Sequence, residues 1–190
     1  MTKKEALLQA AKELFGEYGY AETTFAMISQ RAQVAMGLLA HHYGNKEKLF
    51  LAAGMDVLEN LLTALRASVA GAPTGLEAVL RFCRCYLEFS REPGANFLVL
   101  IRCSPYSDMK TREDREIMIT KFTEVHILLR ECTGRGLEDG TIAANDPHLA
   151  AQFLSCVLVG AVRTKCLTPY ATPGLYDEVM KRIEASLKGC

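Results

Sequence analysis

Residues 23–49 read TTFAMISQRAQVAMGLLAHHYGNKEKL, and this stretch decides the fold. Thr23 or Thr24 is the N-cap ahead of a short segment that turns Ile28 inward, so a first short helix is expected over residues 25–32. Gln33-Val34-Ala35 makes a turn. A second short helix follows over about residues 36–42, carrying Gly37, Leu39, His41 and His42, with Tyr43 after it. Gly44-Asn45 then breaks the chain, and Asn45 is placed to cap a long helix that starts at Lys46.

Working outward, Thr2-Lys3-Lys4-Glu5 is a capping box, the hydroxyl and the carboxylate each satisfying an orphan amide at a helix start. The first helix runs to about Tyr18 with Leu7, Ala11, Leu14, Phe15 and Tyr18 on one face, and Gly19 ends it. Beyond the motif, the fourth helix covers residues 46–69 and stops at Gly71-Ala72-Pro73-Thr74-Gly75. A fifth covers 76–90. Its stripe of Leu76, Val79, Leu80, Cys83, Tyr86 and Leu87, with Phe82 and Phe89 outside it, implies burial on more than one side. A short apolar sixth covers 95–103 and stops at Ser104-Pro105. A seventh covers 108–137, an eighth 147–167 and a ninth 175–188. No strand pattern, repeat or low-complexity segment occurs. The class is all-α with about nine helices: a three-helix head over residues 1–46 and a helical domain over 47–190.

Composition narrows the function. At 190 residues, half hydrophobic and with a net charge of zero, the chain has the make-up of a soluble globular protein. It starts with no apolar signal region. Its longest apolar run, residues 156–162, is far below the roughly 20 residues that span a bilayer. A cytoplasmic protein with no membrane segment is expected. Seven cysteines at irregular spacing imply thiols packed among apolar neighbours rather than a disulfide framework. No phosphate loop, nucleophile elbow or metal-ligand spacing is present, so no catalytic residue, metal or cofactor is assigned.

Two helices joined by a three-to-four-residue turn form a helix-turn-helix, whose second helix enters the DNA major groove. Ile28, Ala32, Val34 and Leu39 are the residues that pack such a pair onto the first helix. Residues 5–50 resemble the N-terminal domain of the TetR (tetracycline repressor) family. The matching elements are Ala10-Ala11-x-x-Leu14-Phe15, Gly19-Tyr20, Thr23-Thr24, Ile28, Ala32, Val34, Gly37-x-Leu39, His42-Tyr43 and Lys46-Glu47-x-Leu49. The resemblance implies that Thr24, His42, Tyr43 and Lys46 contact phosphates and that Met36, Gly37, Leu38, Ala40 and His41 face the groove. For Tyr43 a core role is an equal alternative, and for Lys46 an ordinary solvated charge.

This sequence departs from the family pattern. Gln33 stands where the turn usually has Gly, implying a left-handed residue at a cost of roughly 1 kcal/mol. Ala35 replaces a capping Ser worth about 1 kcal/mol. Met36 and Ala40 replace a basic and an aromatic residue. The recognition helix therefore has no Arg, Lys, Asn or Gln, and base hydrogen bonding falls to His41 and His42 while Met36, Leu38 and Ala40 suit thymine methyls. The head as a whole, residues 1–48, has six Lys/Arg and five Glu, a net of +1, which is low for a DNA reader. Histidine at this position predicts tighter binding below about pH 6.5.

In this family the C-terminal helices bind a small molecule and form the dimer. The eighth helix is apolar around most of its circumference, consistent with helices 8 and 9 meeting their copies in a four-helix bundle. Phe82, Tyr86, Phe89, Phe97, Ile101, Met118, Phe122 and His126 are the candidate lining of a pocket for an apolar or aromatic effector. The expected function is a homodimeric, effector-responsive repressor of a palindromic operator. Two alternatives stand beside it. One is a helical protein-interaction module whose head has lost DNA affinity. The other is a thiol-sensing regulator using Cys83-x-Cys85, near Arg81, Arg84 and Arg102.

Overall fold

The Thr2 capping box forms as its residues dictate: Thr2 Oγ1 accepts from the Glu5 amide at 3.2 Å while the Thr2 amide donates to the Glu5 carboxylate at 2.8 Å. The structure, a computed structural model, describes residues 1–102 and 111–188. Among these residues there are nine α-helices and no strand. They are α1 (Lys3–Glu22), α2 (Phe25–Ala32), α3 (Met36–Tyr43), α4 (Lys46–Val69), α5 (Gly75–Phe89), α6 (Leu98–Arg102), α7 (Arg112–Glu138), α8 (Pro147–Leu167) and α9 (Leu175–Lys188). A 3-10 turn, Pro93–Ala95, precedes α6. The expected end of the sixth helix at Cys103, the Ser104-Pro105 stop and the start of the seventh at Asp108 lie outside the described residues, as does Cys190.

The chain divides into two compact units, Met1–Glu59 with Glu92–Lys121, and Asn60–Arg91 with Phe122–Cys190. These units are drawn by packing, whereas the expected division into residues 1–46 and 47–190 was drawn on the helix-turn-helix.

In the first unit, α1 is the platform. Leu7, Ala11, Leu14 and Phe15 are buried, as their spacing predicts. Tyr18, expected on the same face, is 46% exposed. Gly19 takes φ 85° and ψ 172° there, and the chain re-enters a helical turn only to Glu22. Phe15, Tyr20 and Phe50 form an aromatic cluster with ring centroids 5.0–6.0 Å apart. Ile28 and Leu39 are fully buried. The short α6 packs on α1, an association that sequence spacing did not reveal.

In the second unit, α5 is buried on both sides, through Val79, Cys83 and Leu87 and through Phe82 and Phe89. Its N-terminus is held unusually close to α7: a Cβ at Gly75 would lie 2.0 Å from the Gly136 amide nitrogen, so only glycine fits. Thr74 Oγ1, Asp139 and Thr141 together accept the first three amides of α5. At the other end of the unit, the Ser90 and Tyr176 hydroxyls lie 2.9 Å apart and join α5 to α9.

Helix α8 starts at Pro147 behind Asp146, whose carboxylate accepts the His148 amide at 2.7 Å. Its inner face, Ala151, Leu154, Leu158, Ala161 and Val162, is buried. With 21 residues and a mean hydropathy of 1.3 over its most apolar window, it is long and apolar enough to cross a bilayer. A count of uninterrupted apolar residues does not reveal this. Core helices share that composition, and the inner face of α8 packs on α5 and α9.

Candidate nucleic-acid interface

Helix α2 is set on α1 by three devices. Thr23 is buried and its hydroxyl donates to the Gly19 carbonyl at 2.8 Å and to Leu14 at 3.1 Å. Thr24 Oγ1 caps α2 by accepting the Met27 amide at 3.2 Å. The Arg31 guanidinium bonds Glu13 at 3.2 Å and Glu17 at 3.1 Å, both on α1. Those two bonds hold Arg31 above its ordinary pKa. Glu17 is held below its own, first by the Tyr18 hydroxyl and then by Arg31.

The turn follows. Gln33 adopts φ 55°, ψ 39°, the left-handed conformation its position implied. The amides of Gln33 and Val34 are satisfied by Gln30 and Ser29 carbonyls at 3.2 and 3.0 Å. Ala35 opens α3 with no side-chain cap, also as expected.

Helix α3 is anchored on one side and open on the other. Leu39 is fully buried. Tyr43 is half-buried, its hydroxyl donating to the Lys4 carbonyl at 3.1 Å. Burial raises the Tyr43 pKa, with the charge of Asp56 adding to it. On the open side, Met36, Gly37, Ala40 and His41 fall within one arc of the helix and are all exposed, Met36 by 56%. A Cβ at Gly37 would meet nothing within 4 Å. Leu38, half-buried, and His42, exposed, follow on the His41 side of that arc. The His41 and His42 rings lie 5.3 Å apart.

Lys46 opens α4 in a way the sequence did not show. Its ammonium donates to the carbonyls of Ala21 at 3.1 Å and Thr23 at 3.0 Å, and sits 4.5 Å over the Tyr20 ring. It is therefore neither a free surface charge nor wholly directed outward. Asn45 caps α4 by accepting the Lys48 amide at 2.9 Å. Lys48 in turn reaches the buried Asp114 at 2.6 Å, and Lys12 pairs with Asp56 at 2.7 Å. These long-range pairs carry no signal in local sequence.

The candidate effector residues are divided between the units. Phe97, Ile101 and Met118 belong to the first, and Phe82, Tyr86, Phe89, Phe122 and His126 to the second. Phe82, Tyr86, Phe89, Phe97 and Met118 are buried, while Ile101, Phe122 and His126 are half-buried. Met118 is already committed to packing: a Cβ at Gly54 would fall 2.5 Å from its methyl. Two surface hollows are lined by other residues. One of 330 Å³ lies between α1 and α2 at Leu14, Tyr18, Met27, Gln30 and Arg31. The other, of 250 Å³, lies beside Leu149, Phe153 and Leu187.

Burial pushes the Cys83 thiol to about 12 and that of Cys132 to about 11, the opposite of a reactive thiolate. Among the described residues no three His, Cys, Asp or Glu side chains converge to hold a metal.

The family description "Bacterial regulatory proteins, tetR family" matches residues 7–53, which contain α2, the turn and α3. Along the whole chain the protein is 25% identical to the HTH-type transcriptional repressor AcnR of Corynebacterium efficiens, over 193 aligned positions covering 99% of this chain and 94% of that one. Two solved structures share the fold. AibR, solved with isovaleryl coenzyme A and operator DNA, superposes with a TM-score of 0.82 at 18% identity over 98% of each chain. The transcriptional regulator FadR of Bacillus subtilis, solved with stearoyl-CoA, gives 0.79 at 16% identity over 96% of this chain and 98% of its own. The family match thus falls on the three-helix head, residues 7–53, and the similarity to a transcriptional repressor runs along nearly the entire chain.

Proposed function

We propose that this regulator is a homodimeric repressor that reads a palindromic operator with α3 and leaves it when a small apolar or aromatic effector binds. The likeness of the head to tetR-family regulators and of the whole chain to a repressor supports a role in transcription rather than catalysis, and two proteins of the same fold were solved with acyl-CoA ligands, one of them also with operator DNA. The observation that carries the reading is the open arc of α3. Met36, Gly37, Ala40 and His41 are exposed together while Leu39 and Tyr43 hold the helix from behind. Thr24, His42 and Tyr43 flank that arc for phosphate contact, with Leu38 at its edge. Lys46 sets the elements that carry them, its ammonium bound to the carbonyls of Ala21 and Thr23. Met36 and Ala40 suit thymine methyls.

Dimerisation is supported by the outer face of α8. Leu149 is 64% exposed, Phe153 51% and Val159 45%, in line with exposed Cys156 and Gly160. Such an apolar stripe at helical spacing is what a two-fold partner covers, with α9 beside it. Effector binding among the aromatic residues of α5 and α7 would act on α4, the continuous helix that ends at the reading head. Operator binding places the protein in the cytoplasm.

Footprinting and size-exclusion chromatography on a duplex selected from a random pool test this reading. The expected result is a dimer protecting two half-sites, with affinity falling steeply as salt rises. A monomer with no salt-dependent duplex binding would instead favour a protein-interaction module.

A further inference from the structure

The recognition face has almost no permanent charge of its own, because the head spends its cations internally. Lys12 is paired with Asp56, Arg31 with Glu13 and Glu17, and Lys48 with Asp114. Lys46 is turned onto two backbone carbonyls. Among the described residues this leaves Lys3 and Lys4 as the head cations with no oxygen partner, Lys4 lying 6.0 Å from the Tyr43 ring at the end of α3. Helix α3 itself contains no Lys or Arg. Its polar side chains besides the half-buried Tyr43 are His41 and His42, adjacent, exposed and in contact with each other.

We propose that His41 and His42 make DNA binding proton-linked, their imidazolium forms supplying the charge that the recognition face otherwise lacks to phosphates and purine acceptors. The inference rests on the α3 reading of the operator and adds how that contact is regulated. A neutral imidazole offers one N–H donor, whereas the protonated ring offers two and a positive charge. Every imidazolium that meets a phosphate releases a counterion and steepens the salt dependence by about 0.9. DNA favours the protonated state, so affinity is highest at low pH and is lost as pH rises through the histidine range. Few groups compete for these protons. Of the elements packed on α3, α2 contains no acid, and its Arg31 is held by the α1 acids Glu13 and Glu17. The α1 start contributes Lys3, Lys4 and Glu5, whose carboxylate accepts the Thr2 amide. The α4 start contributes Lys46, then Glu47 bonded to the Thr111 amide, then Lys48 held by Asp114. Among the described residues neither His41 nor His42 has a carboxylate bonded to it.

The test is fluorescence anisotropy with a duplex selected from a random pool, titrated against salt at about pH 6 and about pH 8. Wild type is expected to bind on the order of tenfold tighter at the lower pH, with a steeper salt slope. The double variant His41→Gln, His42→Gln keeps hydrogen-bonding side chains but cannot gain charge, and its affinity and slope should be equal at the two pH values. Each single variant should retain part of the response. Helicity by circular dichroism confirms that the exposed substitutions leave the fold intact. Equal wild-type affinity and slope at both pH values, or an undiminished pH response in the double variant, overturns the proposal while leaving DNA binding in place. Absence of duplex binding at every salt and pH overturns the operator reading and this inference with it.

Discussion

The ammonium of Lys48, in the first turn of α4, lies 2.6 Å from a carboxylate oxygen of Asp114, in the first turn of α7. The Asp114 side chain is 1% exposed and its second oxygen has no partner among the described residues. Burial pushes the Asp114 carboxyl up, but the bonds from Lys48 and Thr111 outweigh it and hold the group below its ordinary value. Beside it, Glu47 accepts the Thr111 amide at 2.8 Å, so two neighbouring α4 residues grip the start of α7. A carboxyl with a depressed folded-state pKa contributes stability above its unfolded value of about 3.9, and that contribution disappears as pH falls through the lower folded value. Lys48→Met should therefore destabilise the protein at neutral pH by leaving a buried carboxylate unpaired, and the difference from wild type should shrink near about pH 3. Denaturant unfolding at the two pH values measures it, and a difference that is constant with pH would show that the pair does not operate as described.

Gln33 holds a left-handed conformation without the glycine that fits it. Gln33→Gly removes that strain and is expected to raise stability by about 1 kcal/mol, read as a shift in urea midpoint with an unchanged slope. A loss of stability would mean that the side chain makes a contact worth more than the strain.

Lys46 joins the start of α4 to the α1–α2 connector through two carbonyls and the Tyr20 ring. Lys46→Met is expected to cost about 1–2 kcal/mol of stability. Duplex affinity should fall because the head is loosened, with the salt slope little changed. A slope shallower by about 0.9 for each head, at unchanged stability, would identify Lys46 as chiefly a phosphate contact.

Phe153 is central to the exposed stripe of α8. Phe153→Asp places a charge where a second copy would dock, so size-exclusion chromatography should show monomer where wild type runs as dimer, and operator affinity should fall by at least about tenfold. An unchanged dimer would move the interface elsewhere.

Much of the head was legible because its signals are local. Capping residues act within one turn, so Thr2 and Asn45 could be placed from the chain alone, while the choice between Thr23 and Thr24 needed the structure, which makes Thr24 the cap. The left-handed Gln33 and the uncapped Ala35 were implied by the family resemblance, which has Gly and a capping Ser at those two positions. The limits of α4, α8 and α9 followed from glycine, proline and Asp/Asn punctuation. What stayed hidden depends on pairs distant in sequence. Periodicity shows that a residue is buried without saying against what, so α6 gave no sign that it packs on α1. The candidate effector residues likewise gave no sign that they belong to two different units. Charge counting gave the head a net of +1 but could not reveal that Lys12, Arg31 and Lys48 are each paired internally. For Tyr43 the sequence left core packing and phosphate contact open. The structure shows it half-buried with its hydroxyl on Lys4, a geometry that serves the first and permits the second.

The measurement closest to the central claim is duplex affinity of Ala40→Glu, a substitution in the middle of the exposed arc of α3 with room for the new side chain. It leaves the core untouched, so the variant should fold and dimerise as wild type does. The account predicts that affinity for a selected duplex drops by about a hundredfold or more, because a carboxylate is driven against the phosphate-lined groove. A variant that binds the same duplex as tightly as wild type would contradict the reading of α3 as the helix that reads DNA.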